Sequence, residues 1–145
     1  MPHLTLPVTS DGPVVELIVG ISTAREAALK LAGKPRPSPI ILRCLIDTGA
    51  SGTCLDSGAI GPLGLSPTGT TPITTPSTGK TPHTCETFDV GITFYHPDSS
   101  RFFGTVPIVA LDFSAQPIDG LLGRDVLANC LFVYDGAAKT FSIAF

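Results

Sequence analysis

The segment Leu45-Ile46-Asp47-Thr48-Gly49-Ala50-Ser51 is the centre from which this fold can be predicted. It follows an apolar run, Ile40-Ile41-Leu42-Arg43-Cys44, whose residue types favour a buried β-strand. A carboxylate at the end of such a strand costs free energy unless it is hydrogen-bonded or has a chemical use. Gly49 allows a tight turn, and the hydroxyl groups of Thr48 and Ser51 lie within local reach. The segment therefore predicts a rigid, partly desolvated carboxylate at Asp47.

Two other interpretations of this region stay open on the sequence alone. In the first, Asp47 only caps backbone N–H groups in an Asx-type turn. In the second, the nearby repeat Asp56-Ser57-Gly58-Ala59 makes Asp56 a rival for the same role. Asp47 is the better candidate because it has the longer apolar strand before it and the Ala-Ser continuation after it. Asp56 then falls near the end of the next strand, where a polar turn is the ordinary expectation.

A second informative segment lies late in the chain: Ile118-Asp119-Gly120-Leu121-Leu122-Gly123-Arg124-Asp125-Val126-Leu127. Together the two segments resemble the aspartic proteases and, in a chain of 145 residues, the single-domain retroviral type, the retropepsins. In that family the first motif is an apolar residue followed by Asp-Thr-Gly-Ala. The second motif comes late in the chain and consists of two apolar residues, then Gly-Arg, then Asp or Asn. A short helix follows it. The resemblance spans the chain from about Val14 to the C-terminus, and its specificity lies in the pair of motifs.

The resemblance implies an all-β fold, a closed β-barrel or sandwich formed by a single domain over residues 1–145. It also implies one short helix after Gly123-Arg124-Asp125. Apolar and alternating patterns predict strands at His3–Val8, Val14–Ile21, Thr84–Tyr95 and Phe102–Leu111, and a final hairpin, turned at Asp135-Gly136, from Leu131–Tyr134 and Thr140–Phe145.

The segment from Gly61 to Pro82 is rich in Gly, Pro and Thr and has two interpretations. Composition alone allows a low-complexity linker. The retropepsins, however, place here a β-hairpin, the flap, that folds over the bound peptide. Ser77-Thr78-Gly79-Lys80 is then the tip, which makes Thr78, Gly79 and Lys80 candidate substrate-binding residues.

A helix is predicted over residues 24–32, where the family's minimal plan has a short turn. Thr23 and Glu26 form a capping-box pattern, and Gly33 followed by Pro35 supplies the stop. The sequence does not decide whether this insertion is decoration, covers a sheet edge or contacts a partner.

The activity implied by the resemblance is that of an aspartic endopeptidase acting on a peptide or protein substrate. Two carboxylates across one water are needed, one ionised and one protonated. This chain offers one credible catalytic aspartate, Asp47, so the resemblance implies a homodimer in which each copy supplies one. The chemistry requires neither a metal nor another cofactor.

The resemblance also implies roles for the residues around Asp47. Thr48 hydrogen-bonds across the dimer axis, Gly49 lines the peptide-binding floor and Ala50 packs close to the axis. Gly123 permits close approach to the strand bearing Asp47, and Arg124 braces the active-site loop. Viral members often carry an acidic residue where this chain has Ser51, so the partner of Arg124 stays open between Asp125 and Asp56. The terminal strand Thr140–Phe145, an exposed edge in a monomer, is expected to join the dimer sheet.

A second function from another class is a catalytically weak retropepsin-like fold that serves as a dimerisation or peptide-binding module. The intact Asp-Thr-Gly favours the enzyme, because a pure scaffold has no reason to keep that turn. Cleavage of denatured casein, with and without a statine-type inhibitor, distinguishes the two.

Composition excludes several other classes of protein. A net charge of −3, 14% charged residues and no Trp argue against a nucleic-acid partner. The sequence contains no apolar run of membrane-spanning length and no signal peptide pattern, so a cytoplasmic protein is expected. None of the four cysteines forms a Cys-x-x-Cys pair, which favours buried, reduced thiols over a metal site.

Overall fold

The computed structural model describes residues 1–74 and 81–145 of the chain. The predicted tip residues Thr78, Gly79 and Lys80 lie outside that part. The described strands are β1 (His3–Pro7), β2 (Val14–Ile21), β3 (Ile40–Ile46), β4 (Thr53–Asp56), β5 (Gly69–Ile73), β6 (His83–Phe94), β7 (Arg101–Leu111), β8 (Gly120–Leu122), β9 (Leu131–Asp135) and β10 (Thr140–Ala144). The helices are α1 (Thr23–Leu31), α2 (Arg124–Leu127) and a 3₁₀ turn at Gly61–Leu63.

Six strands close into a barrel in the order β2-β3-β8-β4-β7-β6, because β6 also pairs with β2. Alternate residues along each strand fill the interior; the fully buried ones include Leu17, Leu55, Ile92, Ile108 and Leu122. The closed all-β barrel implied by the resemblance is thus confirmed, and so is the short helix that follows Gly123.

The site region is built where β8 lies between β3 and β4. β8 pairs in parallel with β3, with Leu122 opposite Ile46, and antiparallel with β4. Residues 47–52 connect β3 to β4 and therefore pass over the carboxyl end of β8. This topology brings the two sequence motifs together, although Asp47 and Gly123 are 76 positions apart in the chain.

The segment predicted as a flap, Gly61 to Pro82, contains β5, and β6 follows that segment directly. β5 pairs antiparallel with β6, from Gly69 opposite Thr87 to Ile73 opposite His83. Pro72 lies in β5, which has no second neighbour among the described strands. Such an edge position tolerates proline because no ladder donor is needed on the outer side.

The C-terminal strand departs from the prediction. β10 is the central strand of a separate three-stranded sheet, β1-β10-β9, and is not an exposed edge. Phe141, Ile143 and Phe145 are buried, and the ring of Phe145 stacks on Phe94 with centroids 4.8 Å apart. The prediction of an exposed edge was wrong because the strands that flank β10 include His3–Pro7, which lies at the other end of the chain. The final turn is also longer than Asp135-Gly136 and spans residues 136–139, with Lys139 at a positive φ of 55°.

The predicted inserted helix is present, one residue earlier than expected. The N-cap is Ser22 rather than Thr23, and its Oγ accepts a hydrogen bond from the Arg25 backbone N–H at 3.2 Å. α1 contacts β7 and buries none of its residues completely, and Leu31 is 93% exposed. Helix α1 therefore lies on the outer surface of the barrel, against β7.

The four cysteines are free thiols. Burial, with a smaller contribution from the charge of Asp119, raises the pKa of Cys44 to about 12. Cys54 is only half-buried, contrary to the prediction, because it lies on the outer face of β4. Within residues 1–74 and 81–145, neither helix has the length and apolar character needed to span a bilayer.

Candidate active site

Asp47 lies immediately after β3, at the start of a tight turn. Its backbone N–H donates to the Leu122 carbonyl at 3.0 Å, and its carbonyl accepts from the Ala50 N–H at 3.1 Å. Its carboxylate Oδ1 accepts the Gly49 backbone N–H at 2.9 Å. Its Oδ2 accepts no hydrogen bond from the described part of the chain. The carboxylate is therefore oriented through one oxygen and available through the other.

Arg124, in the second motif, forms two hydrogen bonds to the turn that begins at Asp47. The Arg124 backbone N–H donates to the Ala50 carbonyl at 2.9 Å, and its guanidinium Nη1 donates to the Thr48 carbonyl at 2.9 Å. Gly123 packs so closely on Gly52 that a Cβ atom at position 123 would overlap the Gly52 backbone. The predicted close approach at Gly123 thus occurs, but to the end of the loop rather than to the strand that bears Asp47.

Neither Asp125 nor Asp56, the predicted acidic partners of Arg124, forms an ion pair with its guanidinium group. Asp125 accepts hydrogen bonds from Thr53 and Val126, and Asp56 accepts them from Ala59 and Phe113. Arg124 binds a backbone carbonyl instead, because the turn at Thr48 presents one within reach of its side chain. An arginine can brace a loop through main-chain acceptors without forming an ion pair.

Sequence reasoning missed the buried contact that locks the two motifs together. Thr53 is fully buried; its Oγ1 donates to Asp125 Oδ1 at 2.8 Å and accepts the Gly123 N–H at 3.1 Å. The Thr53 backbone N–H donates to Asp125 Oδ2 at 3.1 Å. A signal was present, since Thr53 occupies an inward position at the start of an alternating strand. A buried hydroxyl there requires a partner.

Asp56, the rival aspartate, has both carboxylate oxygens in use. Oδ2 accepts the Ala59 N–H at 2.9 Å and Oδ1 accepts the Phe113 N–H at 2.7 Å. It therefore caps one turn and ties that turn to the loop after β7. Each oxygen of the Asp56 carboxylate is therefore held by one backbone donor.

A half-buried, mostly apolar surface extends from Asp47 across the outside of the sheet. Strand pairing places Leu45, Leu121, Cys54 and Val109 in one row, because each residue is opposite the next on a neighbouring strand. Burial raises the pKa of the Cys54 thiol, and the charges of Asp125, Cys85 and Asp47 raise it further. Cys54 is thus a neutral thiol close to Asp47.

The remaining candidate residues are distributed as follows. Thr48, Gly49 and Ser51 are exposed and Ala50 is half-buried, all in the turn beside Asp47.

No set of three or more His, Cys, Asp or Glu side chains in residues 1–74 and 81–145 could hold a metal ion.

The Thr53 contact gives a first prediction. Thr53→Val keeps the shape but leaves the Gly123 N–H without its acceptor and Asp125 without one donor. We expect the free energy of unfolding in urea to fall by about 2 kcal/mol. Thr5→Val is the matched control, because the Thr5 hydroxyl contacts Ser142 Oγ on an exposed surface; its expected cost is below about 0.5 kcal/mol. Equal costs for the two variants would contradict a locking role for Thr53.

Comparison with known proteins identifies the fold. No protein family profile matches the chain, and no curated protein matches it. Among solved structures, a retropepsin-like aspartic protease from Rickettsia conorii superposes with a TM-score of 0.60. The superposition covers 98% of this chain and 89% of that chain, at 16% sequence identity. This likeness establishes a shared fold.

Proposed function

We propose that this protein is an aspartic endopeptidase whose active site is formed by two copies of the chain, each supplying Asp47. The main observation in support is that the Gly49 N–H orients the Asp47 carboxylate, whose other oxygen has no described partner. Asp56, by contrast, is engaged through both oxygens. The shared fold with a retropepsin-like aspartic protease supports the same function.

The proposed chemistry is general acid–base catalysis by the two Asp47 side chains. Because two close carboxylates do not both ionise freely, they share one proton and titrate as a pair. The ionised carboxylate takes a proton from water, whose oxygen attacks the peptide carbonyl carbon while the protonated carboxyl donates to the carbonyl oxygen. In the tetrahedral intermediate, the carboxyl that took the proton from water gives it to the nitrogen, and the other carboxylate takes a proton from one hydroxyl of the intermediate. The C–N bond then breaks, which releases the amine and the carboxylic acid and restores one protonated and one ionised carboxyl.

The surrounding residues take supporting roles in this proposal. Thr48 hydrogen-bonds to the turn of the second copy, Gly49 lines the peptide-binding floor, and Ala50 packs close to the dimer axis. Ser51 belongs to the same active-site loop. Gly123 and Arg124 keep the turn in place. The row of Leu45, Leu121, Cys54 and Val109 favours substrates with apolar side chains next to the cleaved bond.

The first experiment asks whether the protein cleaves peptides at all. Denatured casein is incubated with the protein from acidic to neutral pH, with and without a statine-type inhibitor, and Asp47→Asn is the control. Inhibitor-sensitive cleavage that the variant lacks supports the endopeptidase. A protein that binds the inhibitor or a peptide but cleaves nothing at any pH would favour the non-catalytic module.

A shared active site predicts that inactive subunits poison active ones. When wild type is mixed and equilibrated with a roughly ninefold excess of Asp47→Asn, activity per wild-type subunit should fall about tenfold. The reason is that most wild-type subunits then sit in heterodimers with one aspartate. The same excess of Asp47→Asn added at the moment of the assay, before subunits can exchange, is the control. Unchanged activity in the first mixture would contradict a site built from two copies.

A further inference from the structure

A groove of about 450 Å³ lies between β1 and β2, and none of residues 47–52 lines it. Its lining is mostly apolar and includes Leu4 and Leu6 of β1 and the consecutive residues 14–18 of β2. The side chains of a strand alternate between two faces, so a cavity that is lined by consecutive residues runs along the edge of the strand. The groove therefore follows the edge of β2 that faces β1.

The backbone of Glu16 is available for pairing at this edge. Opposite it on β3, the Arg43 N–H donates to Asp119 Oδ2 at 2.8 Å, and the Arg43 carbonyl accepts the Asp119 N–H at 2.7 Å. Since both backbone groups of Arg43 face Asp119, those of Glu16 point away from β3. β6 pairs with β2 only from Ile18 onward and ends at Phe94. One N–H and one C=O of β2 therefore face the groove without a strand partner in the part of the chain that the structure describes.

The groove also carries one uncompensated negative charge. The side chain of Glu16 is exposed and forms no ion pair or hydrogen bond with any described residue. Arg43, the other charged residue in the lining, is already occupied: its Nη2 lies 3.5 Å from Asp11 Oδ2, and its Nη1 donates to the Pro117 carbonyl at 2.6 Å. Charge complementarity therefore favours a cationic group beside Glu16.

The two sides of the groove offer different surroundings. On the inner side, Val15 and Leu17 of β2 are buried, and Leu4 and Leu6 of β1 pack against the core. On the outer side, the Glu16 carboxylate is exposed to solvent. A strand that lay in the groove would direct alternate side chains to an apolar surface and to an acidic one.

We propose that this groove is a second peptide-binding site, which takes an extended segment with a lysine or arginine between two apolar residues. The segment pairs with the free N–H and C=O of Glu16 by β-strand addition. Its basic side chain lies beside the Glu16 carboxylate, and the two apolar side chains point to the other side, toward Leu4 and Leu6. Two backbone groups that point the same way from one residue are the pairing groups of a strand, which favours a peptide over a compact small molecule.

The first test measures binding of the capped peptide acetyl-Thr-Val-Lys-Val-Thr-amide by NMR. The peptide is titrated into isotope-labelled protein that carries Asp47→Asn, so that cleavage does not interfere. We expect saturable shifts of the backbone amide signals of Leu4, Leu6 and Glu16. These shifts should persist when a statine-type inhibitor is present, because the groove lies apart from the turn at Asp47.

Reversal of the charge at Glu16 tests the preference for a basic residue. Glu16→Lys should weaken binding of the lysine peptide by about tenfold and strengthen binding of the same peptide with glutamate in place of lysine by a similar factor. Binding of the glutamate peptide also shows that the variant is folded. Glu86→Lys is the matched control, because Glu86 is an exposed strand residue outside the groove. Both peptides should bind this control as they bind the parent.

Methylation of the peptide backbone tests strand addition. A methyl group on the lysine amide nitrogen removes the N–H that would donate to the Glu16 carbonyl, and it should weaken binding by about tenfold. The same methyl group on the nitrogen of the following valine is the control. Because neighbouring N–H groups of a strand point in opposite directions, that N–H faces away from β2, and its loss should weaken binding by less than about threefold.

Four results would overturn the proposal. They are no saturable shift up to about 5 mM peptide, release of the peptide by the statine-type inhibitor, an unchanged preference in Glu16→Lys, and equal effects of the two methyl groups. Cleavage separates this proposal from the protease. A protein that binds the lysine peptide in the groove but cleaves nothing refutes the protease and keeps the second site. An active protease whose groove binds no peptide does the reverse.

Discussion

Asp47→Asn is expected to lower kcat/KM for peptide cleavage by about 10⁴-fold. The amide can neither take a proton from water nor donate one to the peptide carbonyl, and both subunits of the proposed dimer carry the substitution. The fold should persist, because the side-chain oxygen of asparagine can still accept the Gly49 N–H that Asp47 accepts at 2.9 Å. Activity is measured with a fluorogenic peptide, secondary structure by circular dichroism and assembly by sedimentation.

Asp56→Asn is the matched control for this prediction. An asparagine has one acceptor oxygen, so it can keep the Ala59 or the Phe113 hydrogen bond but not both. A stability loss of about 1–2 kcal/mol is expected, with cleavage retained. An inactive Asp56→Asn together with an active Asp47→Asn would show that the wrong aspartate has been assigned.

Gly123→Ala is expected to have the second largest effect. The added methyl would overlap the Gly52 backbone, which has no flexible side chain to move aside. The loop of residues 47–52 must shift, and with it the contacts that Arg124 makes to Thr48 and Ala50. A shift of this kind should lower kcat/KM by about 100-fold. The overpacking should cost about 1–3 kcal/mol and lower the melting temperature by about 3–9 °C.

Gly61→Ala is the control, because a Cβ at position 61 meets no atom within 4 Å. Its melting temperature and activity should match those of the parent. Differential scanning calorimetry and the same peptide assay are applied to both variants. A fully active Gly123→Ala protein with parental stability would show that the approach of Gly123 to Gly52 does not hold the site.

The barrel was predicted through the family resemblance that the pair of motifs carries. An apolar strand ending in Asp47-Thr48-Gly49 and a later Gly123-Arg124 are local features whose residue types restrict the backbone directly. Their joint occurrence pointed to one fold, in which β8 lies between β3 and β4 and both motifs meet at the same end. The roles assigned to these residues in catalysis stay predictions.

Side-chain partners were less predictable. Asp125 and Asp56 were plausible acceptors for Arg124 by charge, yet each is held by backbone or hydroxyl donors that only the folded chain places nearby. The N-cap of α1 shifted from Thr23 to Ser22 for a related reason. Both hydroxyls can cap a helix, and the burial of Ser22 at the end of β2 selects it.

The terminal strands show most clearly where local pattern stops being informative. Alternation along Thr140–Phe145 was enough to predict a strand, because period-two burial depends only on neighbouring residues. Which strands flank it depends on His3–Pro7, at the opposite end of the chain, and on which partner buries more of its surface. That choice made β10 central and left β9 as the open edge. Whether a segment forms a strand depends on its own residues, whereas whether that strand lies at the edge of a sheet depends on the whole fold.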